Sequence, residues 1–146
     1  MMQTILVGVD GSEAAGMALE FAVEEATIRG AELRVISVWE LPTFPKPDFE
    51  PGALPREYLG LEAQAEAIVA EAVKRAKELN PNLPVKGEAL EGRPHLVLVE
   101  EAEGADLIVV GRRGEGGLAA LLLGSVSRHV ADHAPCPVVI VPPLKK

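Results

Sequence analysis

Aromatic residues make up only 3% of the 146 positions, and there is a single cysteine. One Trp, one Tyr and three Phe leave little to build a stacking platform for single-stranded nucleic acid. One cysteine excludes an intrachain disulfide. Positive charge is also scarce: 14 Lys and Arg face 22 Asp and Glu, and the net charge of −8 repels phosphate backbones and anionic membranes. The apolar runs LIVVG at 107–111 and VVIVPP at 138–143 fall far short of the ~20 residues that span a bilayer. The start MMQTILVGVD lacks the basic region, apolar stretch and cleavage site of a secretory signal. The expectation is a cytoplasmic protein that partners neither nucleic acid nor membrane.

What is abundant is small and branched aliphatic residues. Apolar residues account for 48% of the chain, and its length suits one domain over residues 1–146. A chain of this size buries roughly 70% of its unfolded surface. With so few rings, Val, Leu, Ile and Ala must fill that core.

The pattern alternates strand and helix. QTILVGV at 3–9 is a nearly continuous apolar run, as expected of a strand covered on both faces. From Ser12 the spacing turns helical through Ala15, Ala18, Ala22 and Ala26, with Met17, Phe21 and Ile28 widening the face. Ser12 is the expected cap and Gly30 the stop. A second strand spans 31–39, and prolines at 42, 45, 47, 51 and 55 then impose a loop. A helix over roughly 55–79 follows, with Leu59, Ala63, Ala67, Ala70, Val73 and Ala76 toward the sheet, and it ends at Asn80-Pro81. A weaker edge strand at 83–90, a helix from Pro94 to about 103, a strand at 105–111, a helix from Ser125 to about Ala134 and a strand at 137–142 complete the chain. Five strands joined by helical crossovers make an α/β fold: a three-layer, open, mostly parallel sheet with helices on both faces.

In such sheets ligands occupy the carboxyl ends of the strands. Three stretches fall there: Val9-Asp10-Gly11-Ser12, Val38-Trp39-Glu40 and Gly111-Arg112-Arg113-Gly114. The last opens GRRGEGGLAALLLGSVSRH, whose glycines permit close backbone approach. Successive amides and the open helix start near Ser125 suit a phosphate, with hydroxyls from Ser125 and Ser127 and charge from Arg112 or Arg113. A flexible turn with Ser125 as a simple cap is the plainer alternative. No Gly-Lys-Ser/Thr follows the glycines, and no GxGxxG follows the first strand, so the usual ATPase and dinucleotide machinery is missing.

These residues resemble the nucleotide-binding subclass of the universal stress protein family. Its mark is Gly, two residues, Gly, nine residues, then Gly and Ser or Thr, here Gly111-Arg112-Arg113-Gly114 and Gly124-Ser125. The resemblance extends to ILVGVDGSEAA at 5–15, Gly92-Arg93-Pro94, ADLIVVG at 105–111 and CPVVIVP at 136–142. It implies a five-stranded sheet of order 3-2-1-4-5, like that of the adenine nucleotide alpha hydrolases, binding ATP and pairing as a homodimer through the last strand. It also implies that Asp10 contacts the ribose or phosphates, with a role beside Mg²⁺, and that Val38 offers backbone to adenine. Gly111, Arg113, Gly114, Gly124, Ser125, Val126 and Ser127 would form the phosphate and ribose loop.

His129, His133 and Cys136 have a spacing that can supply zinc ligands, but solvated imidazoles and a small buried thiol are the simpler reading. His95 reads as a helix-surface residue. Three functions follow from the resemblance. One is an ATP-occupied regulator of the stress response acting on a protein partner the sequence does not name. The second is a slow Mg²⁺-dependent hydrolase or phosphotransferase, for which Asp10 and Glu40 are the carboxylates at hand and no base is evident. The third is a dimerisation module with a vestigial pocket.

Overall fold

Ile5, Leu6 and Val7 are fully buried, so the first strand, β1 (Thr4–Gly8), is covered on both faces as its apolar run requires. In the computed structural model, which describes residues 2–41, 60–112 and 124–143, β1 lies at the centre of a five-stranded sheet. It pairs in parallel with β2 (Glu32–Trp39) and β4 (Leu107–Gly111). Outside these, β3 (Val85–Glu91) pairs in parallel with β2, and β5 (Val138–Val141) with β4. The order is β3-β2-β1-β4-β5, as the resemblance implied, and every pairing is parallel.

Alternate residues of the central strands feed two cores. Ile5, Val7, Leu33, Val35, Leu107 and Val109 face α1 (Glu13–Arg29) and α2 (Leu61–Leu79). Leu6, Ile36, Ile108 and Val110 face Leu98 of α3 (Pro94–Glu101) and Val130 of α4 (Ser125–His133). The three layers follow from this period of two.

Helix α1 begins and ends where its signals stand. The Ser12 Oγ accepts from the Ala15 N–H at 3.1 Å, and Gly30 takes the left-handed conformation, φ 63°, that closes the helix. Ala15, Ala18, Ala22 and Ala26 are buried as expected. The face widens the other way, however: Leu19 and Val23 join it, while Phe21 is 36% and Ile28 72% exposed and Met17 is only partly covered.

Helix α2 keeps Val73 and Ala76 of its expected face but is rotated away from the rest of it. Its buried residues are Ala65, Val69, Ala72 and Ala76, with Ile68 and Val73 packed beside them, whereas Ala63, Ala67 and Ala70 are exposed. The bulkier Ile68, Val69 and Val73 choose the face because they gain more by leaving water than alanine does. Its start at Leu61 follows Gly60, which holds φ 96°; the expected positions 55–59 lie outside the described residues. The helix expected from Pro94 to about 103 gives way after Glu101 to a 3-10 turn at Ala102–Gly104.

Candidate functional site

The chain turns back on itself in sheet order at β1: β2 and β3 build outward on one side, β4 and β5 on the other. Helices α1 and α3 therefore diverge to opposite faces, and a crevice opens at the carboxyl ends of the strands. A cavity of about 430 Å³ lies there, within the range of small-molecule sites. Its walls include Asp10 and Ser12 after β1, Val38 near the end of β2, Gly111 at the end of β4 and Arg112 after it, and Gly124–Ser127 at the start of α4.

Each wall has a local cause. After β1, one carboxylate oxygen of Asp10 accepts from the Ser12 N–H at 2.9 Å, and Gly11 supplies the φ of 86° that this tight turn needs. Asp10 itself is exposed at the mouth. Gly111 is at the point of closest approach between β4 and α1: a Cβ there would sit 2.9 Å from the Ala14 backbone C and O. Gly8, beneath the cavity, makes room for Leu98, whose Cδ2 would lie 3.0 Å from a Cβ.

Arg113 and Gly114 lie outside the described residues, but the residues on either side of 113–123 meet. The Arg112 carbonyl accepts the Gly124 N–H at 2.9 Å and the Ser127 hydroxyl at 2.7 Å. Ser127 is buried, so its hydroxyl staples the end of β4 to the start of α4. Ser127→Ala is expected to cost about 1 kcal/mol, read from denaturant midpoints, because the carbonyl keeps its amide partner. Unchanged stability would mean that the staple carries nothing. Ser125, the first residue of α4, is exposed at the cavity, and the cap position belongs to Gly124. The free amides of that helix start make a place for an anion.

Arg112 also lines the cavity, and its buried Nε has no hydrogen-bond partner among the described residues. A buried donor of this kind calls for an acceptor. Glu40, the second carboxylate considered for chemistry, instead lies 3.6 Å from the Arg93 Nε.

The zinc pattern does not assemble. Among the described residues no group of three or more His, Cys, Asp or Glu side chains is arranged to hold a metal. Cys136 is partly buried and packs with the α3–α4 core, and burial pushes its thiol pKa up, away from a reactive thiolate. His129 instead meets His95 of α3 and stacks on His133 of its own helix. No helix among the described residues is long and apolar enough to cross a membrane.

Fold and crevice together define an α/β protein with a cavity where the strand order reverses. The chain belongs to the universal stress protein family, which it matches over residues 1–142. It is 37% identical over 142 residues to a universal stress protein of Mycolicibacterium smegmatis, an alignment covering 95% of this chain and 45% of that protein. It is 36% identical over 137 residues to one from Mycobacterium tuberculosis, covering 93% and 44%. The chain thus spans less than half the length of these curated relatives.

Solved structures agree on the fold. The universal stress protein UspA from Lactobacillus plantarum superposes with a TM-score of 0.75 at 27% identity, covering 95% of this chain and 97% of the other. A universal stress protein in complex with cAMP gives 0.71 at 32% identity, covering 96% of each. One from Archaeoglobus fulgidus in complex with dAMP gives 0.67 at 27%, covering 97% and 98%.

Proposed function

We propose that this chain binds an adenine nucleotide, ATP by preference, in the crevice beside β1 and β4, and that its occupancy rather than its turnover is the output. The observation that carries this reading is the convergence on one cavity of the Arg112 Nε, buried without a partner among the described residues, the amides at the start of α4 and the Asp10 carboxylate. Arg112 and the amides of Ser125 and Val126 suit phosphate or ribose oxygens. The Val38 backbone suits the base edge, and Asp10 a ribose hydroxyl or a Mg²⁺ carried by the phosphates. A lone carboxylate fits Mg²⁺ in this way, since that ion commonly takes one or two carboxylates together with substrate phosphates. When bound, the ion would neutralise phosphate charge. Relatives captured with cAMP and dAMP support an adenine-containing ligand here.

Occupancy is favoured over hydrolysis because, among the described residues, Asp10 is the carboxylate lining the crevice, while Glu40 lies 3.6 Å from the Arg93 Nε. The strand β5 is at the edge of the sheet with Val138–Val141 only partly covered. An edge of this kind invites pairing with a second copy, so we take the working unit to be a homodimer. A stress-response role for that dimer, through a protein partner, is the reading consistent with its family.

The loop is tested by Gly114→Val, which should weaken ATP binding more than about tenfold, a loss of about 1.4 kcal/mol, while circular dichroism shows an intact fold. Unchanged affinity would remove the loop from the site. Asp10→Ala should weaken binding more with Mg²⁺ than without it in calorimetric titrations. Equal losses in the two conditions would contradict the metal role.

A further inference from the structure

The three histidines of the chain come from two helices and converge on one spot. His95, near the start of α3, meets His129 of α4 edge-on, with ring centroids 4.7 Å apart. One turn along α4, His133 stacks on His129 at 4.2 Å, and its Nδ1 lies 3.1 Å from the His129 carbonyl. Packing of this kind suits neutral imidazoles. Charged ones would place two or three like charges a few ångströms apart.

The surroundings do little to offset such charge. Among the described residues, the titratable groups facing His129 are His95 from α3 and His133 and Asp132 from α4. Asp132 favours the proton, but partial burial and the two imidazoles oppose it, and the net effect holds His129 below the ordinary imidazole range. Arg128 adds another positive charge along the same groove, which is lined by Ser125, Arg128, His129, Asp132 and His133.

We propose that this histidine trio is an acid-sensitive latch between α3 and α4. At neutral pH and above, the contact of His95 with His129 holds the two helices together. In acid, a proton on His129 places positive charge against the rings packed on it and loosens that contact. The sign follows from His129: its folded form binds protons less readily than the unfolded chain, so stability rises with pH through the imidazole range and levels off above it. The far end of α3 stays tied, because the Arg34 Nη2 holds Glu101 at 2.8 Å and Glu88 at 3.3 Å. Separation would therefore begin at the His95 end.

That end adjoins the crevice. Pro94 and Leu98 of α3 and Ser125–Ser127 of α4 all line the cavity, so loosening the latch widens the ligand site. Acid would then release the nucleotide, a consequence that rests on the function proposed above. The latch itself does not need a ligand.

The test is amide hydrogen exchange of the ligand-free full chain at pH 7.5 and 5.5, corrected for intrinsic rates, for the native sequence and the His95→Gln/His129→Gln variant. A single His133→Gln variant provides a second, milder removal. Acid should lower protection several-fold in α3 and α4 relative to α1 and α2 in the native sequence, with a smaller drop in both variants. An equal drop in all four helices, no drop, or a drop unchanged in the variants would overturn the latch. ATP affinity measured in parallel should fall several-fold more on acidification in the native chain than in the variants. Failure of ATP to bind at either pH would count against the nucleotide reading, while the exchange pattern alone decides the latch.

Discussion

Replacing Gly111 by alanine should destabilise the protein by roughly 1–3 kcal/mol, although it adds one methyl group at a partly exposed position. The new Cβ would meet the Ala14 C and O atoms at 2.9 Å and the Ala14 Cβ at 3.0 Å. These are mainly backbone atoms of α1, which cannot swing aside as a side-chain tip does. Either the helix start or the end of β4 must move, and both carry walls of the crevice. At about 4 °C per kcal/mol, the midpoint of thermal unfolding should fall by several degrees, with ligand affinity falling alongside. Gly16→Ala provides the opposite case. Gly16 is inside α1 with open space where its Cβ would lie, so alanine there should stabilise by about 0.5–1 kcal/mol. Similar losses from both substitutions would mean that the close approach of β4 to α1 is not real.

The largest loss of stability is expected from Leu98→Ala. Leu98 is 4% exposed, packs with Leu6, Ile36, Ile108, Val110 and Val130, and forms part of the crevice wall. Truncating a buried leucine typically costs about 2–5 kcal/mol, set by how far the surroundings collapse. Collapse is limited here because Gly8 lies directly beneath Leu98 and has no side chain to follow it. The upper half of the range is therefore expected, together with an enlarged cavity and weaker nucleotide binding. Equilibrium denaturation reads the first effect and calorimetric titration the second. A cost below about 1 kcal/mol would contradict the burial of Leu98 in the second core.

The strands were the most legible part of the sequence. Runs such as TILVG and LIVVG admit a doubly covered strand because both of their faces are apolar. Helix ends were equally readable at Ser12 and Gly30, where one residue type satisfies a specific backbone need. Helix faces were not. Alanine is compatible with core and solvent alike, so Ala63, Ala67 and Ala70 read as an inward stripe with Val73 and Ala76, whereas Ile68 and Val69 turn α2 so that only the last two of these pack inward. On α1, Phe21 and Ile28 were assigned by bulk to a face that Leu19 and Val23 occupy.

At the candidate site, the glycine spacing and the strand-end rule were enough to bring Asp10, Val38, Gly111 and Gly124–Ser127 to one cavity. What they did not provide was the division of labour among the polar groups. Ser127 reads as a hydroxyl offered to a ligand, yet it is buried on the Arg112 carbonyl. Arg112 and Arg113 are indistinguishable by spacing; Arg112 lines the cavity, and Arg113 lies outside the described residues. The histidine trio was hidden for a different reason. His95 is 34 residues from His129, and their meeting depends on α3 and α4 sharing one face of the sheet. No local pattern encodes that contact.

Nucleotide occupancy is measured most directly by denaturing the purified chain, without added ligand, and identifying what is released by chromatography and mass spectrometry against protein concentration. An adenine nucleotide, predominantly ATP and near one per chain, is the expected result for a tight site with slow turnover. If nothing is released, and titration with ATP and Mg²⁺ also detects no binding, the crevice is not a nucleotide site and the chain acts through its fold and sheet edge alone.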